Sequence, residues 1–233
     1  MRKDYFKGVR HGAPIGVGYF AVSFSFGILA VKYGLSAFAA SLMSFTNVTS
    51  AGQFAGLTAI ATGAGLVEMA LIQLVINLRY ALMGFSLSQK LPENVPFLQR
   101  AIIAFSITDE IFAVAVSGKY PLSFVYMLGL STLPIIGWTG GTLVGVLAGE
   151  ILPVNITTAL GIALYGMLIS IVMPKARDEK NVRIVVLISL VMSCAFAYIP
   201  IMNKVSSGIS IVICTVVASL VGAAFFPVKE GQE

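Results

Sequence analysis

The fold is decided by stretches such as Ser207-Gly-Ile-Ser-Ile-Val-Ile-Cys-Thr-Val-Val-Ala-Ser-Leu-Val-Gly-Ala-Ala-Phe-Phe-Pro227, which contain no charged side chain. A helix needs about 20 apolar residues to cross the hydrocarbon core of a bilayer. Seven other apolar blocks of comparable length precede this one, joined by short connections. The sequence therefore predicts an all-α, polytopic transmembrane helical bundle of about eight spans. The predicted spans are residues 13–31, 37–62, 66–88, 98–118, 122–149, 156–173, 184–201 and 207–227.

The composition excludes a water-soluble protein. Of the 233 residues, 58% are hydrophobic and 11% are charged, and the mean hydropathy is +0.93. A soluble domain carries about 25% charged residues, so this chain has too little polar surface to cover a water-soluble core. We expect residues 1–233 to form a single transmembrane domain embedded in membrane lipid.

The positive charges indicate the orientation of the chain in the membrane. Basic residues lie before the first apolar block and in one later loop, where they are Arg2, Lys3, Lys7, Arg10, Lys175, Arg177, Lys180 and Arg183. Such clusters stay on the cytoplasmic side, and no continuous basic face suits nucleic acid. A cytoplasmic N-terminus and a cytoplasmic 174–183 loop require an even number of crossings between them. We therefore favour eight spans with both termini in the cytoplasm.

Two features of the apolar blocks leave alternatives open. Residues 122–149 are interrupted by Pro134 and by several glycines, so they are either one tilted span or two half-helices. Counting them as one span keeps the basic loop cytoplasmic. Gly27-Ile-Leu-Ala30 is similar to Gly145-Val-Leu-Ala148, which weakly indicates the internal repeat found in many transporters.

Ionisable groups gather inside the third and fourth blocks. Asn77 and Arg79 lie near the centre of the third block, and Asp109 and Glu110 near the centre of the fourth. A charged group at the bilayer centre costs at least about 2.5 kcal/mol, so it needs a partner or a function. Counted from the turn at Glu93 at 1.5 Å per residue, Arg79 and Asp109 lie about 21 and 24 Å away. An antiparallel hairpin therefore brings them to one depth.

The two acids cannot both face one point, because adjacent helical residues point about 100° apart. One acid is expected to pair with Arg79, and the other to face a cavity or a neighbouring helix. The pair alone is equally explained as a structural ion pair that fixes the helix register. The second acid favours a function, because a buried carboxyl group without a partner holds a proton and can carry it.

The second block contains a polar run in its centre, Ser44-Phe-Thr-Asn-Val-Thr-Ser-Ala-Gly-Gln53. Unwound backbone is tolerated at that depth only where it is covered by protein or lines a cavity. We therefore expect a broken helix that offers hydrogen-bonding groups from Asn47, Gly52 and Gln53 to a substrate. Close packing of small residues is the alternative explanation of this run.

The sequence does not favour an enzyme. It has no His-Glu-x-x-His motif, no glycine-flanked nucleophile with a histidine available and no spacing typical of a metal site. Its single histidine, His11, lies in the basic N-terminal segment, and Cys194 and Cys214 lie in separate apolar stretches. We expect no catalytic residue, no metal and no cofactor.

Several short motifs are spread over most of the chain: Pro14, Gly18-Tyr19, Phe26-Gly27, Gly34-Leu35-Ser36, Gly52-Gln53-Phe54, Asn77-Leu78-Arg79, Gly84, Ser86-Leu87 and Thr108-Asp109-Glu110. In these motifs the chain resembles the AzlC family, the large subunit of branched-chain amino acid exporters. Two positions depart from the family pattern. Thr49-Ser50-Ala51 changes the order of small residues before Gly52, and Tyr80 stands where the family often has histidine.

The resemblance implies export of Leu, Ile, Val or Met together with a small AzlD-type membrane subunit. With the polar residues above, this suggests a proton-coupled secondary transporter of zwitterionic amino acids. Asn47, Gly52, Gln53, Asn77 and Arg79 would bind the substrate, and Asp109 or Glu110 would meet its ammonium group or carry the proton. The alternative is a membrane scaffold or assembly subunit in which the ion pair is only structural.

Overall fold

The computed structural model describes residues 2–117, 122–151 and 176–226, with residues 153, 155, 169 and 172–174 between the last two ranges. By their internal contacts, the residues form two compact units. The first unit comprises Met1–Phe54 and Asn77–Leu164, and the second comprises Ala55–Ile76 and Tyr165–Glu233.

All the regular elements of the described residues are helices, which confirms the predicted all-α class. The α-helices are α1 Arg2–Lys32, α2 Ala37–Thr46, α3 Ser50–Ala61, α4 Leu66–Lys90, α5 Phe97–Phe105, α6 Asp109–Ser117, α7 Phe124–Ile151, α8 Lys180–Tyr198 and α9 Ser207–Phe225. A short 3₁₀ helix, Met202–Lys204, precedes α9. Within the described residues, α1, α4, α7, α8 and α9 are long and apolar enough to cross a membrane. The chain is thus a polytopic helical membrane protein.

Two predicted spans are not single helices. Residues 37–62 divide into α2 and α3, as expected from their polar centre, and residues 98–118 divide into α5 and α6. The second division corrects the hairpin calculation, which assumed one continuous helix as far as Asp109. The predicted span 156–173 lies largely outside the described residues.

The open question about residues 122–149 is answered by α7, which is one helix of 28 residues with Pro134 inside it. Helix α1 also extends beyond its predicted span, because it begins at Arg2 rather than near residue 13. The basic N-terminal segment is therefore helical.

Helices α1 and α7 pack in parallel at very short range. A Cβ atom on Gly8 would overlap the carbonyl oxygen of Tyr126, and one on Gly27 would overlap that of Thr142. The contacts advance together along both helices, so the helices run in the same direction. Glycine lets helix backbones approach this closely in membranes, where dispersion contacts hold helices together.

The parallel direction constrains how the chain crosses the membrane. Two helices that cross in the same direction need an odd number of crossings between them. The predicted spans 37–62, 66–88 and 98–118, which lie between α1 and α7, would supply three. The similar stretches at residues 27–30 and 145–148 lie in this interface, since the backbone of Gly145 faces both Gly27 and Phe24.

An apolar cluster in the first unit joins α4, α5, α6 and α7. Leu87, Ile103, Ile111, Met127 and Leu130 are at most 3% exposed within it. This cluster fixes α5 and α6 against α7 despite the interruption between them. It thereby sets the position of the first turn of α6, where Asp109 and Glu110 lie.

Candidate functional site

The break between α2 and α3 is a three-residue segment, Asn47–Thr49, that is not helical. Asn47 ends α2 with φ −135° and ψ 80°, and its N–H still donates to the Met43 carbonyl. The Thr49 hydroxyl donates to the Asn47 side-chain oxygen over 2.7 Å. Local side-chain bonds of this kind compete with helix formation, which explains why the polar run interrupts the span.

Gly52 allows α4 to approach the break. A Cβ atom there would overlap the Thr49 hydroxyl and lie 3.0 Å from the Asn77 side-chain oxygen. Asn47, Gly52 and Asn77, all predicted site residues, are therefore brought together. The glycine is required here for close packing, since its backbone is helical.

Gln53 connects the break to α7 through a buried chain of hydrogen bonds. Its side-chain oxygen accepts from the Trp138 indole N–H over 2.7 Å, and its NH₂ group donates to the Ser44 hydroxyl. Ser44 in turn bonds to the Thr142 hydroxyl over 2.7 Å. The Gln53 side chain is fully buried and both ends of its amide have protein partners. It thus holds α2, α3 and α7 together.

The break between α5 and α6 spans Ser106–Thr108, three residues that are all buried. The Ser131 hydroxyl on α7 donates to the Ser106 hydroxyl over 2.8 Å. The Thr108 hydroxyl accepts from the Ile111 N–H over 3.3 Å and so caps α6. Asp109 and Glu110 consequently occupy the first turn of α6, where the helix dipole favours negative charge.

Arg79 forms an ion pair with Asp109. Its Nη1 lies 2.6 Å from the Asp109 Oδ2, with the two side chains 45% and 46% exposed. A second guanidinium nitrogen donates to the Tyr80 hydroxyl over 3.0 Å, and the guanidinium carbon lies 4.8 Å from the centroid of the Tyr80 ring. The half-exposed pair remains accessible to a ligand.

Glu110 has a different partner, the Tyr19 hydroxyl on α1, which donates to its carboxylate. The Tyr19 ring also packs edge-to-face against Trp138, with centroids 5.4 Å apart and planes at 72°. Tyr19 therefore lies between an acid on α6 and the buried hydrogen bonds of Gln53. The two neighbouring acids thus contact a cation and a neutral phenol.

The predicted site residues all belong to the first unit. The α2–α3 break brings together Asn47, Gly52 and Asn77, and the buried Gln53 connects this break to α7. The start of α6 brings together Arg79, Asp109 and Glu110. Sequence reasoning did not assign Tyr19, Trp138, Ser44 or Thr142 to the site. A buried glutamine needs both donors and acceptors, but the sequence does not show which residues supply them. Within the described part of the chain, no group of His, Cys, Asp and Glu residues could hold a metal ion.

Comparisons with known proteins place these features in a family context. The family model described as AzlC protein matches residues 14–152. An uncharacterised membrane protein of Archaeoglobus fulgidus is 33% identical over 175 residues, which is 74% of this chain and 76% of that protein. The inner membrane protein YgaZ of Escherichia coli is 29% identical over 150 residues, and an uncharacterised membrane protein of Helicobacter pylori is 28% identical over 148 residues.

The matches leave part of the relatives uncovered. The chain spans 61% of the Escherichia coli protein and 62% of the Helicobacter pylori protein. No solved structure matches the chain significantly. The family match ends shortly after α7 and includes both broken segments, Tyr19 and both acids.

Proposed function

Because this chain belongs to the AzlC family, we propose that it is a secondary transporter that exports branched-chain or related hydrophobic amino acids in exchange for protons. Leu, Ile, Val and Met are the proposed substrates. The protein works with a small AzlD-type membrane subunit in the inner membrane of a bacterium, with both termini in the cytoplasm. The family relationship supports the transport role, and the substrate and the partner come from the resemblance of the motifs.

The observation that carries the proposal is the unequal pairing of the two acids. Asp109 is neutralised by Arg79, whereas Glu110 accepts only an uncharged donor from Tyr19 among the bonds described above. A carboxyl group without a cationic partner inside a membrane gains most from binding a proton or an ammonium group. Glu110 is therefore the acid that exchanges a proton for the substrate ammonium.

The remaining groups fit the rest of a zwitterionic amino acid. The half-exposed Arg79 guanidinium has the charge and planar geometry that a carboxylate binds. Unwound backbone and the side chains of Asn47 and Asn77 supply further hydrogen bonds at the α2–α3 break. Gln53 is buried and hydrogen-bonded to protein, so its role is to position this break.

The proposal is tested by transport into and out of proteoliposomes that contain the purified protein with a co-expressed AzlD-type subunit. Labelled Leu, Val, Met and glutamate are loaded in turn, and efflux is followed with and without an imposed pH gradient. We expect gradient-dependent efflux of the first three substrates only. Equal flux of glutamate, or no dependence on protons, contradicts the proposal.

Three variants separate transport from a scaffold role. Glu110→Gln removes the acid that exchanges the proton, and Asp109→Asn removes one partner of the ion pair with Arg79. Each is therefore expected to reduce export by at least about tenfold. The double variant Arg79→Asp with Asp109→Arg keeps an ion pair but places the positive charge on α6 and the negative charge on α4. Full activity of the swapped protein would show that the pair is only structural.

A further inference from the structure

Tyr19 contacts both Glu110 and the buried hydrogen-bond chain around Gln53. Its hydroxyl donates to the Glu110 carboxylate, and its ring edge packs against Trp138. Trp138 is bonded to Gln53, and Gln53 is bonded to Ser44. A continuous series of contacts therefore runs from α6 through α1 and α7 to both sides of the α2–α3 break.

We propose that Tyr19 is a positioning residue that transmits the charge state of Glu110 to the α2–α3 break. The proposal rests on the proposed role of Glu110 as the proton-exchanging acid. It adds the route by which that exchange changes the substrate site. Tyr19 itself touches neither the substrate nor the proton in this mechanism, and it acts through Glu110 at one end and Trp138 at the other.

The physical reason is the direction of the hydrogen bond. An ionised carboxylate only accepts hydrogen bonds, so the phenol donates to it and is held in one orientation. A protonated carboxyl group has lost its charge and accepts only through its carbonyl oxygen, so its bond to the phenol is weaker and the phenol is held less firmly. The Tyr19 side chain then moves and alters its edge-to-face contact with Trp138. The indole N–H then changes its geometry relative to Gln53.

Neighbouring groups do not supply an equivalent switch. Asp109 is adjacent to Glu110 but is paired with Arg79. Tyr80 on α4 interacts electrostatically with both acids, but its hydroxyl accepts a hydrogen bond from Arg79. The Thr108 hydroxyl accepts from the Ile111 N–H and has no charge to change. The Tyr19 phenol is the group that joins Glu110 to the buried chain.

The chain offers a direct optical test because Trp138 is its only tryptophan. The emission of the purified full-length protein in lipid nanodiscs is measured between about pH 3.5 and pH 8, without any amino acid present. We expect a sigmoidal change in the wild-type protein and none in Glu110→Gln. Tyr19→Phe and Tyr19→Leu are both expected to abolish the change, with gel filtration to establish that each variant is folded.

Tyr5→Phe provides the matched control. Tyr5 is on the same helix, and its hydroxyl also bonds to a side chain of α7, that of Thr132. This variant is expected to keep the wild-type response. His11→Gln removes the histidine, which bonds to Tyr126 on α7. A response that survives in both Tyr19 variants or in Glu110→Gln, or that disappears in His11→Gln, overturns the proposal.

Transport supplies a second readout. Because Tyr19 acts through Glu110 rather than on the substrate, Tyr19→Phe should lower the maximal export rate about tenfold and change the half-saturating leucine concentration by less than about twofold. The opposite pattern, a large change in half-saturation alone, would make Tyr19 a substrate ligand. Emission that titrates through Glu110 and Tyr19 in a protein that exports no leucine would reject the proposed function but not the relay. Export without such a titration would reject the relay alone.

Discussion

At the scale of single residues, adjacent positions on one helix turn perform different tasks because their partners differ. Asp109 faces Arg79 and Glu110 faces Tyr19, although both residues carry the same chemical group. The angle of about 100° between neighbouring helical side chains makes this separation unavoidable. The sequence predicted that the two acids would diverge, but it did not identify Tyr19 as the second partner.

Gly52 tests whether close packing at the break matters for function. In Gly52→Ala the new methyl group overlaps the Thr49 hydroxyl and crowds Asn77. Overpacking of this kind costs about 1–3 kcal/mol, so we expect a lower unfolding temperature and weaker export. Gly84→Ala is the control, since no atom lies within 4 Å of its Cβ position. Similar behaviour of the two variants would contradict the proposed packing.

Gln53 tests the buried hydrogen bonds. Gln53→Leu keeps the volume nearly constant but removes the acceptor of the Trp138 indole N–H, while the Ser44 hydroxyl keeps its bond to Thr142. An unsatisfied buried group costs about 1–3 kcal/mol, and thermal unfolding in detergent should show the loss. Gln89→Leu, on the exposed end of α4, is expected to leave the unfolding temperature nearly unchanged. A stable Gln53→Leu protein would show that the bonds contribute little.

At the scale of elements, the site depends on two interrupted helices and one pair of parallel helices. The interruptions at residues 47–49 and 106–108 present polar groups that a continuous helix would hide. The polar run before Gln53 predicted the first interruption. The sequence did not predict the second interruption, because Ser106-Ile-Thr108 is a short run of mixed polarity. This interruption depends on the hydrogen bond from Ser131 and on the cap formed by Thr108.

The α1–α7 interface predicts opposite effects at two neighbouring glycines. A Cβ atom on Gly141 would overlap the Ser23 hydroxyl and the Phe20 carbonyl oxygen, whereas no atom lies within 4 Å of that on Gly140. Gly141→Ala should therefore separate the helices and lower the unfolding temperature. Gly140→Ala should be neutral or slightly stabilising, since alanine is the better helix former by about 1 kcal/mol. Equal effects would contradict the parallel packing.

At the scale of the whole molecule, the parallel direction of α1 and α7 bears on topology. With three crossings between them and the predicted span 156–173 after α7, the chain crosses six times before the 174–183 loop, which is therefore expected on the same side of the membrane as the N-terminus. Single cysteines at Lys3→Cys and Lys180→Cys, with Cys194 and Cys214 replaced by serine, should react with an impermeant maleimide only from the cytoplasmic side. Lys32→Cys should react only from the opposite side. Labelling of Lys180→Cys together with Lys32→Cys would contradict eight spans.

The sequence by itself determined the features that depend on composition and helix geometry. Apolar length fixes which segments can enter a membrane, and the cost of charge in lipid identifies Arg79, Asp109 and Glu110 as residues that need a reason to be there. Tertiary structure alone decided their partners. Tyr19, Trp138 and Gln53 are far apart in the chain and come into contact because glycines let α1 pack directly on α7. Such contacts depend on the shape of several helices at once, and no local pattern of residues encodes them.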